Sequence, residues 1–282
     1  MAQAEALAEL RAWEKVLPAG AAFTGLSAAR AHGLWLPPLP ADLPVMAALA
    51  RREYETTPVR DGLVVIRHPV APASMTVGGA RVVTVAECLV CCCRHLGLLD
   101  AVVLLDSALH QRLCTLDELA IIARRKRRGV RLLRAALELA DGRSESAWET
   151  MLRLLHVSCG VVVTPQVDLF DERGRFVARV DLMVDETGQI QEYDGAQHRD
   201  AVVQLDDLAR ERRLADIGRT RRAYVARHLL QTPEVVLEPI GAVTGRRLSV
   251  RPWRDLLESS LYRDPGRAEF SRRLGAGPLT WT

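Results

Sequence analysis

The sequence predicts an α/β (α+β) protein of two domains, on three observations. At 282 residues the chain exceeds one ordinary domain. Apolar spacing alternates between helical and strand periods along its length. The order of the elements changes character at Asp141-Gly142, where a block of closely spaced helices gives way to a run of strands. With 26% charged and 49% apolar residues, the composition excludes collagen-like, disordered and disulfide-scaffold chains.

In the first part, residues 1–142, Glu5–Val16 and Thr24–His32 have helical spacing, the second closed by Gly33 and Pro37-Pro38. Short β-prone runs follow at Val45–Leu49, Leu63–Arg67 and Arg81–Thr84. Four helices are then expected, at Val85–Leu96, Leu98–His110, Leu116–Arg127 and Val130–Ala140. Thr115 with Asp117 and Glu118 marks the start of the third.

The second part, residues 143–250, opens with Ser146-Ala-Trp-Glu149, which reads as a capping box before a helix at Trp148–Val157. Strands are expected at Val161–Val167, Arg175–Val184 and Gln189–Tyr193, the last two joined by the turn residues Asp185-Glu-Thr-Gly188. A helix over about Val202–Ile217 and a strand at Arg222–Ala226 complete an αβββαβ order. Beyond Arg251 the pieces are short and arginine-rich, so residues 251–282 read as a surface tail.

Chemistry concentrates on the expected hairpin. A two-residue turn at Glu186-Thr187 or at Thr187-Gly188 sets Asp181 opposite Glu192 or Asp194, and either register puts all three carboxylates on one face. A three-residue loop without a bulge pairs Asp181 with Tyr193 instead. Clustered carboxylates raise one another's pKa unless a cation is present, and oxygen-only ligands suit Mg²⁺ or Mn²⁺ rather than zinc. Spacing alone fits equally a solvated strand face.

These residues resemble a known family. Glu149, Asp181, Glu192-x-Asp194-Gly195-x-x-His198 and Asp207-x-x-Arg210-x-x-x-Leu214-x-x-x-Gly218 resemble the PD-(D/E)xK nuclease superfamily, and within it the very-short-patch-repair (Vsr) endonuclease-like branch. The resemblance spans roughly Ser144–Ala226 and implies a restriction-endonuclease-like αβββαβ domain that hydrolyses DNA with Mg²⁺ or Mn²⁺. It implies Asp181 and Glu192 as metal ligands, with the Tyr193 carbonyl as a further candidate, and Glu149 as a carboxylate reaching the metal or its water. Val180 stands where the family usually has proline, and Asp194 where it has lysine. Lys15 and Lys126 are the only lysines, and arginine does not accept protons. A water-activating base is therefore sought in His198, as the Asp-Gly-x-x-His element of that branch implies. Arg210 and Arg213, on the following helix, are candidates for phosphate contact.

The remaining signals are weaker. Cys88-x-x-Cys91 has zinc-half-site spacing, but Cys88, Cys91 and Cys92 share one helix face, where cysteine packs as a small hydrophobe. Arg124-Arg-Lys-Arg-Arg128 ends a helix, where basic residues complement the dipole, and it also suits a phosphate backbone. Phe23-Thr-Gly-Leu-Ser27-Ala-Ala-Arg-Ala-His-Gly33-Leu with Asp100–Leu109 resembles AbiEi-type antitoxins, which implies a defence context and a toxin or other defence-system protein as partner. A formal charge of +3 is no electrostatic footprint for nucleic acid. Without a signal-like start or a long apolar run, a cytoplasmic, non-membrane protein is expected. The expected function is thus a metal-dependent DNA endonuclease of repair or phage defence. The alternative is a non-catalytic nucleic-acid-binding or antitoxin-type regulator that keeps the nuclease fold.

Overall fold

The structure, a computed structural model, describes residues 2–51, 60–195, 210–275, 277 and 279–281. It is a mixed α+β protein with two mixed sheets that divides into two compact units, Met1–Gly142 with Leu256–Thr282, and Arg143–Asp255.

The first unit begins with α1 (Ala2–Glu14), β1 (Ala22–Phe23) and α2 (Gly25–Ala31), followed by β2 (Val45–Ala50), β3 (Leu63–His68), β4 (Ser74–Val77) and β5 (Ala80–Val83). Its sheet has the order β3-β2-β1-β5-β4. All six residues of β2 are buried, so its unbroken apolar run reflects a strand covered on both faces. β1 and β4 were not expected. The first is two residues long, too short to show alternation, and the second is a half-exposed strand at the sheet's edge.

Four helices follow: α3 (Val85–Cys92), α4 (Leu98–His110), α5 (Leu116–Ala123) and α6 (Val130–Leu137). α5 ends before the basic run that was expected to be its last turn. Cys88, Cys91, Cys92 and Cys93 are buried free thiols, and the Cys88 Sγ–H donates to the Gly25 carbonyl at 3.3 Å. Burial pushes Cys91 up to about 12, which suits packing rather than thiolate chemistry.

The second unit runs α7 (Ala147–Ser158), β6 (Val163–Phe170), β7 (Phe176–Val184), β8 (Ile190–Tyr193), a helix of which residues 210–216 are described (α8), and β9 (Arg221–Tyr224). The αβββαβ order is therefore present. The sheet order is β6-β7-β8-β9, antiparallel except for the parallel β8–β9 pair that the α8 connection requires. Ala178, Val180 and Leu182 are buried at alternate positions of β7, and the interleaved Asp181 lies on the opposite face.

Three additions lie beyond β9: α9 (Ala226–Leu230), α10 (Glu234–Thr244) and α11 (Arg251–Glu258), followed by α12 (Asp264–Leu274). The expected surface tail is thus corrected. Trp253 is fully buried and its indole N–H donates to the Leu229 carbonyl at 2.8 Å. Leu261, Phe270 and Leu274 are buried in the first unit, where the Leu261 N–H donates to the buried Asp100 carboxylate. Sparse apolar residues among many arginines concealed this, because each buried side chain is separated from the next by solvated charge. Among the described residues, no helix is long and apolar enough to cross a membrane.

Candidate functional site

The β7–β8 hairpin fixes the site. Leu182 pairs with Gln191 and Met183 with Ile190, the register that sets Asp181 opposite Glu192. The connection is longer than a two-residue turn. The Val184 N–H donates to the Gln189 carbonyl, leaving Asp185–Gly188 as a four-residue loop with the same register. An Asp181 Oδ2 then accepts the Tyr193 N–H at 3.0 Å, tying the two strands together.

Asp181 lies within electrostatic reach of Glu149 and Glu192. Burial, then the negative charges of Glu149 and Glu192, push Asp181 up to about 7, against opposing effects of the Tyr193 N–H and Arg210. Three elements, α7, β7 and β8, therefore bring one carboxylate each to a common neighbourhood.

Glu192 is 3% exposed and its charge is compensated by two arginines. Arg210 donates from both terminal nitrogens, at 3.0 and 2.6 Å, one to each carboxylate oxygen. The Arg221 Nε–H donates to Oε2 as well. Arg210 Nη2 also donates to the Arg179 carbonyl at 2.7 Å. The guanidinium of Arg210, expected as a phosphate contact, is bonded to a buried carboxylate, which requires such a partner. Arg213, one turn further on, is exposed.

Glu149 is the N3 residue of α7, and the Ser146 hydroxyl accepts its N–H at 3.1 Å. Only that half of the expected capping box is present. The Glu149 carboxylate instead accepts the Glu145 N–H and the Gln166 Nε2–H, both at 2.8 Å. The reciprocal box forms at Thr115 and Glu118 in α5.

Asp194 lies one residue beyond β8, half-buried, its N–H on the Tyr224 carbonyl at 2.7 Å. His198 and Asp207 lie outside the described residues.

Two neighbours escaped sequence reasoning. Gln166 stands in β6 between residues paired with Leu182 and Val180, hence beside Asp181, with φ of 54°, the left-handed region that non-glycine residues rarely occupy. Its amide links Glu149 to Arg179, whose Nε–H donates to Gln166 Oε1 at 2.8 Å. Backbone strain of this kind concentrates at functional sites but has no residue-type signature for glutamine. Trp148 stacks on Tyr193 with ring centroids 5.1 Å apart and planes 2° from parallel, each ring adjacent in sequence to a site carboxylate. Only the adjacency in sequence was visible beforehand.

The donor chemistry fits a hard divalent cation. Mg²⁺ commonly takes one or two protein carboxylates and completes its shell with water and substrate oxygens. Asp181 and Glu149 provide two, whereas both oxygens of Glu192 are engaged by guanidinium N–H groups. Among the described residues, no three His, Cys, Asp or Glu side chains are grouped to enclose a metal by themselves. Comparison with known proteins returns no match: no family model, curated protein or solved structure proves similar to the chain.

Proposed function

We propose that the second unit hydrolyses phosphodiester bonds in DNA, with Glu149, Asp181 and Glu192 as its reactive cluster and Mg²⁺ or Mn²⁺ as the cation. The observation that carries this reading is the hairpin register that sets Asp181 opposite Glu192, with Gln166 beside Asp181 and bonded to Glu149; burial and these two carboxylates push Asp181 up to about 7. Clustering of this kind raises the energy of the folded chain unless a cation or proton offsets the charge, and carboxyls perturbed in this way concentrate at functional sites. The αβββαβ order supports the restriction-endonuclease-like resemblance.

In this reading Asp181 and Glu149 would hold the cation, which would acidify a water and offset charge developing on the phosphoryl oxygens. The chain's own residues do the positioning. The Tyr193 N–H fixes one Asp181 oxygen, Gln166 orients the Glu149 carboxylate, and Arg210 and Arg221 pair with Glu192 beside Asp181. His198 carries the proton-transfer role that the resemblance implies, and Asp194 stands between it and Glu192 in sequence. A toxin or other defence-system protein remains the partner class that the first unit's antitoxin resemblance suggests.

A second reading, a nucleic-acid-binding protein that keeps the nuclease fold without catalysis, is favoured by one observation: Glu192 is already neutralised by two arginines. Duplex, mismatched and single-stranded DNA, incubated with Mg²⁺, Mn²⁺ or EDTA, separate the two. Hydrolysis means metal-dependent cleavage of at least one substrate. Retention of DNA in EDTA, unaltered by Asp181→Asn and without cleavage in either metal, supports the second reading.

A further inference from the structure

The first unit contains a cavity of about 530 Å³ that the cluster above does not use. That volume lies in the range of small-molecule sites. Its floor is apolar, built from Cys93, Leu132 and Ala135, and its polar wall is formed by Arg94, Arg128, Arg131 and Arg273. No carboxylate lines it among the described residues. Arg273 is fixed by the Glu269 carboxylate and the Leu96 carbonyl. Arg94, Arg128 and Arg131 have no carboxylate partner among the described residues. Burial, with repulsion from Arg128 and Arg127, lowers the pKa of Arg94.

One further feature points to an anion. α6 begins at the cavity wall with Gly129 as its N-cap, has no side-chain cap and has no acidic residue in its first turn. The Val130 N–H bonds the Arg127 carbonyl, the Arg131 and Leu132 N–H groups have no side-chain acceptor among the described residues, and the dipole favours negative charge there. Gly129 has φ of 89°, and a Cβ on it would stand 2.2 Å from the Val90 carbonyl oxygen, so the close approach of the α6 start to α3 depends on glycine. His95 also lines the cavity, at 7% exposure and with both ring nitrogens enclosed. Burial and the charges of Arg94 and Arg273 hold its pKa down at about 4, against a smaller opposing effect of the Arg273 backbone.

We propose that this cavity binds a nucleoside polyphosphate, its phosphates held by Arg94, Arg128, Arg131 and the start of α6, and its nucleoside on the apolar floor. Guanidinium forks match phosphate oxygens, three unpaired cations suit a di- or triphosphate, and the concave shape suits a small molecule rather than an extended strand. This site is independent of the carboxylate cluster.

The test is calorimetric titration of the full chain in EDTA with ATP, GTP, inorganic triphosphate and a short single-stranded oligonucleotide. The double variant Arg128→Gln/Arg131→Gln is titrated in parallel, and Arg247→Gln serves as a control in the other unit. Both replaced arginines are exposed, so an unchanged melting temperature verifies the fold. The expected result is saturable binding of nucleotide, tighter than that of triphosphate, weakened at least about tenfold in the double variant and unchanged in the control. Absence of saturable nucleotide binding overturns the proposal, as does equal affinity in the double variant. Binding of the oligonucleotide alone overturns it in favour of a nucleic-acid surface, and triphosphate binding equal to nucleotide binding overturns the role given to the floor.

Discussion

Asp181 is the residue on which the most chemistry turns. Folded, it holds its proton to about pH 7, whereas the unfolded side chain releases it near 3.8. A carboxyl whose folded pKa is raised loses stability for the protein as pH rises from the lower value to the higher, and the loss is complete above both. Asp181→Asn keeps an acceptor for the Tyr193 N–H and removes the ionisation. The variant should therefore be more stable than the parent at pH 8, by on the order of 2 kcal/mol after screening, with the gap closing toward pH 4. Thermal melts of both proteins across that range measure it. Comparing the pair matters because buried Asp100, also raised to about 7, imposes the same trend on both. The residue scale was also the most legible in sequence. Alternation placed Asp181 and Glu192 on a shared face, but it carried no information on the arginines that neutralise Glu192, because those contacts cross from α8 and β9.

At the scale of elements, caps and turns were read from local chemistry and mostly hold their places, since a capping side chain acts within four residues of itself. Glu149 is the instructive departure. The sequence Ser-x-x-Glu fits a capping box, yet the carboxylate turns to Gln166 and the Glu145 N–H, while Thr115 and Glu118 form the complete box. The two glutamates should then respond differently to substitution. Glu118→Ala should destabilise the protein by about 1 kcal/mol, and Glu149→Gln, which retains an acceptor, should change stability by less than about 0.5 kcal/mol. Urea unfolding midpoints distinguish them, and a larger loss for Glu149→Gln would assign that carboxylate a structural rather than a chemical task. Short or solvated elements such as β1, β4 and α9 escaped because periodicity needs several residues to emerge.

For the whole molecule, the change in element order at Asp141-Gly142 marks the division between units, but the return of Leu256–Thr282 to the first unit was not legible. Long-range association of that kind depends on a few buried side chains, here Leu261, Phe270 and Leu274, set among arginines. Removing residues after Asp255 would expose that surface and deprive the Asp100 carboxylate of the Leu261 N–H. The truncated chain should lose several kcal/mol of stability in the first unit or fail to remain soluble, since one buried unsatisfied group alone costs about 1–3 kcal/mol. A soluble truncated protein with an unchanged melting profile would contradict this role for α12.

The central claim, that Glu149, Asp181 and Glu192 form a hydrolytic centre, is tested most directly by nicking of supercoiled plasmid in Mg²⁺ or Mn²⁺ with the full chain and its Asp181→Asn variant, both verified as folded. The account predicts metal-dependent nicking by the parent protein, falling by at least about 100-fold in the variant. Nicking that persists undiminished in Asp181→Asn, or a parent protein that cleaves no plasmid in either metal, would contradict it.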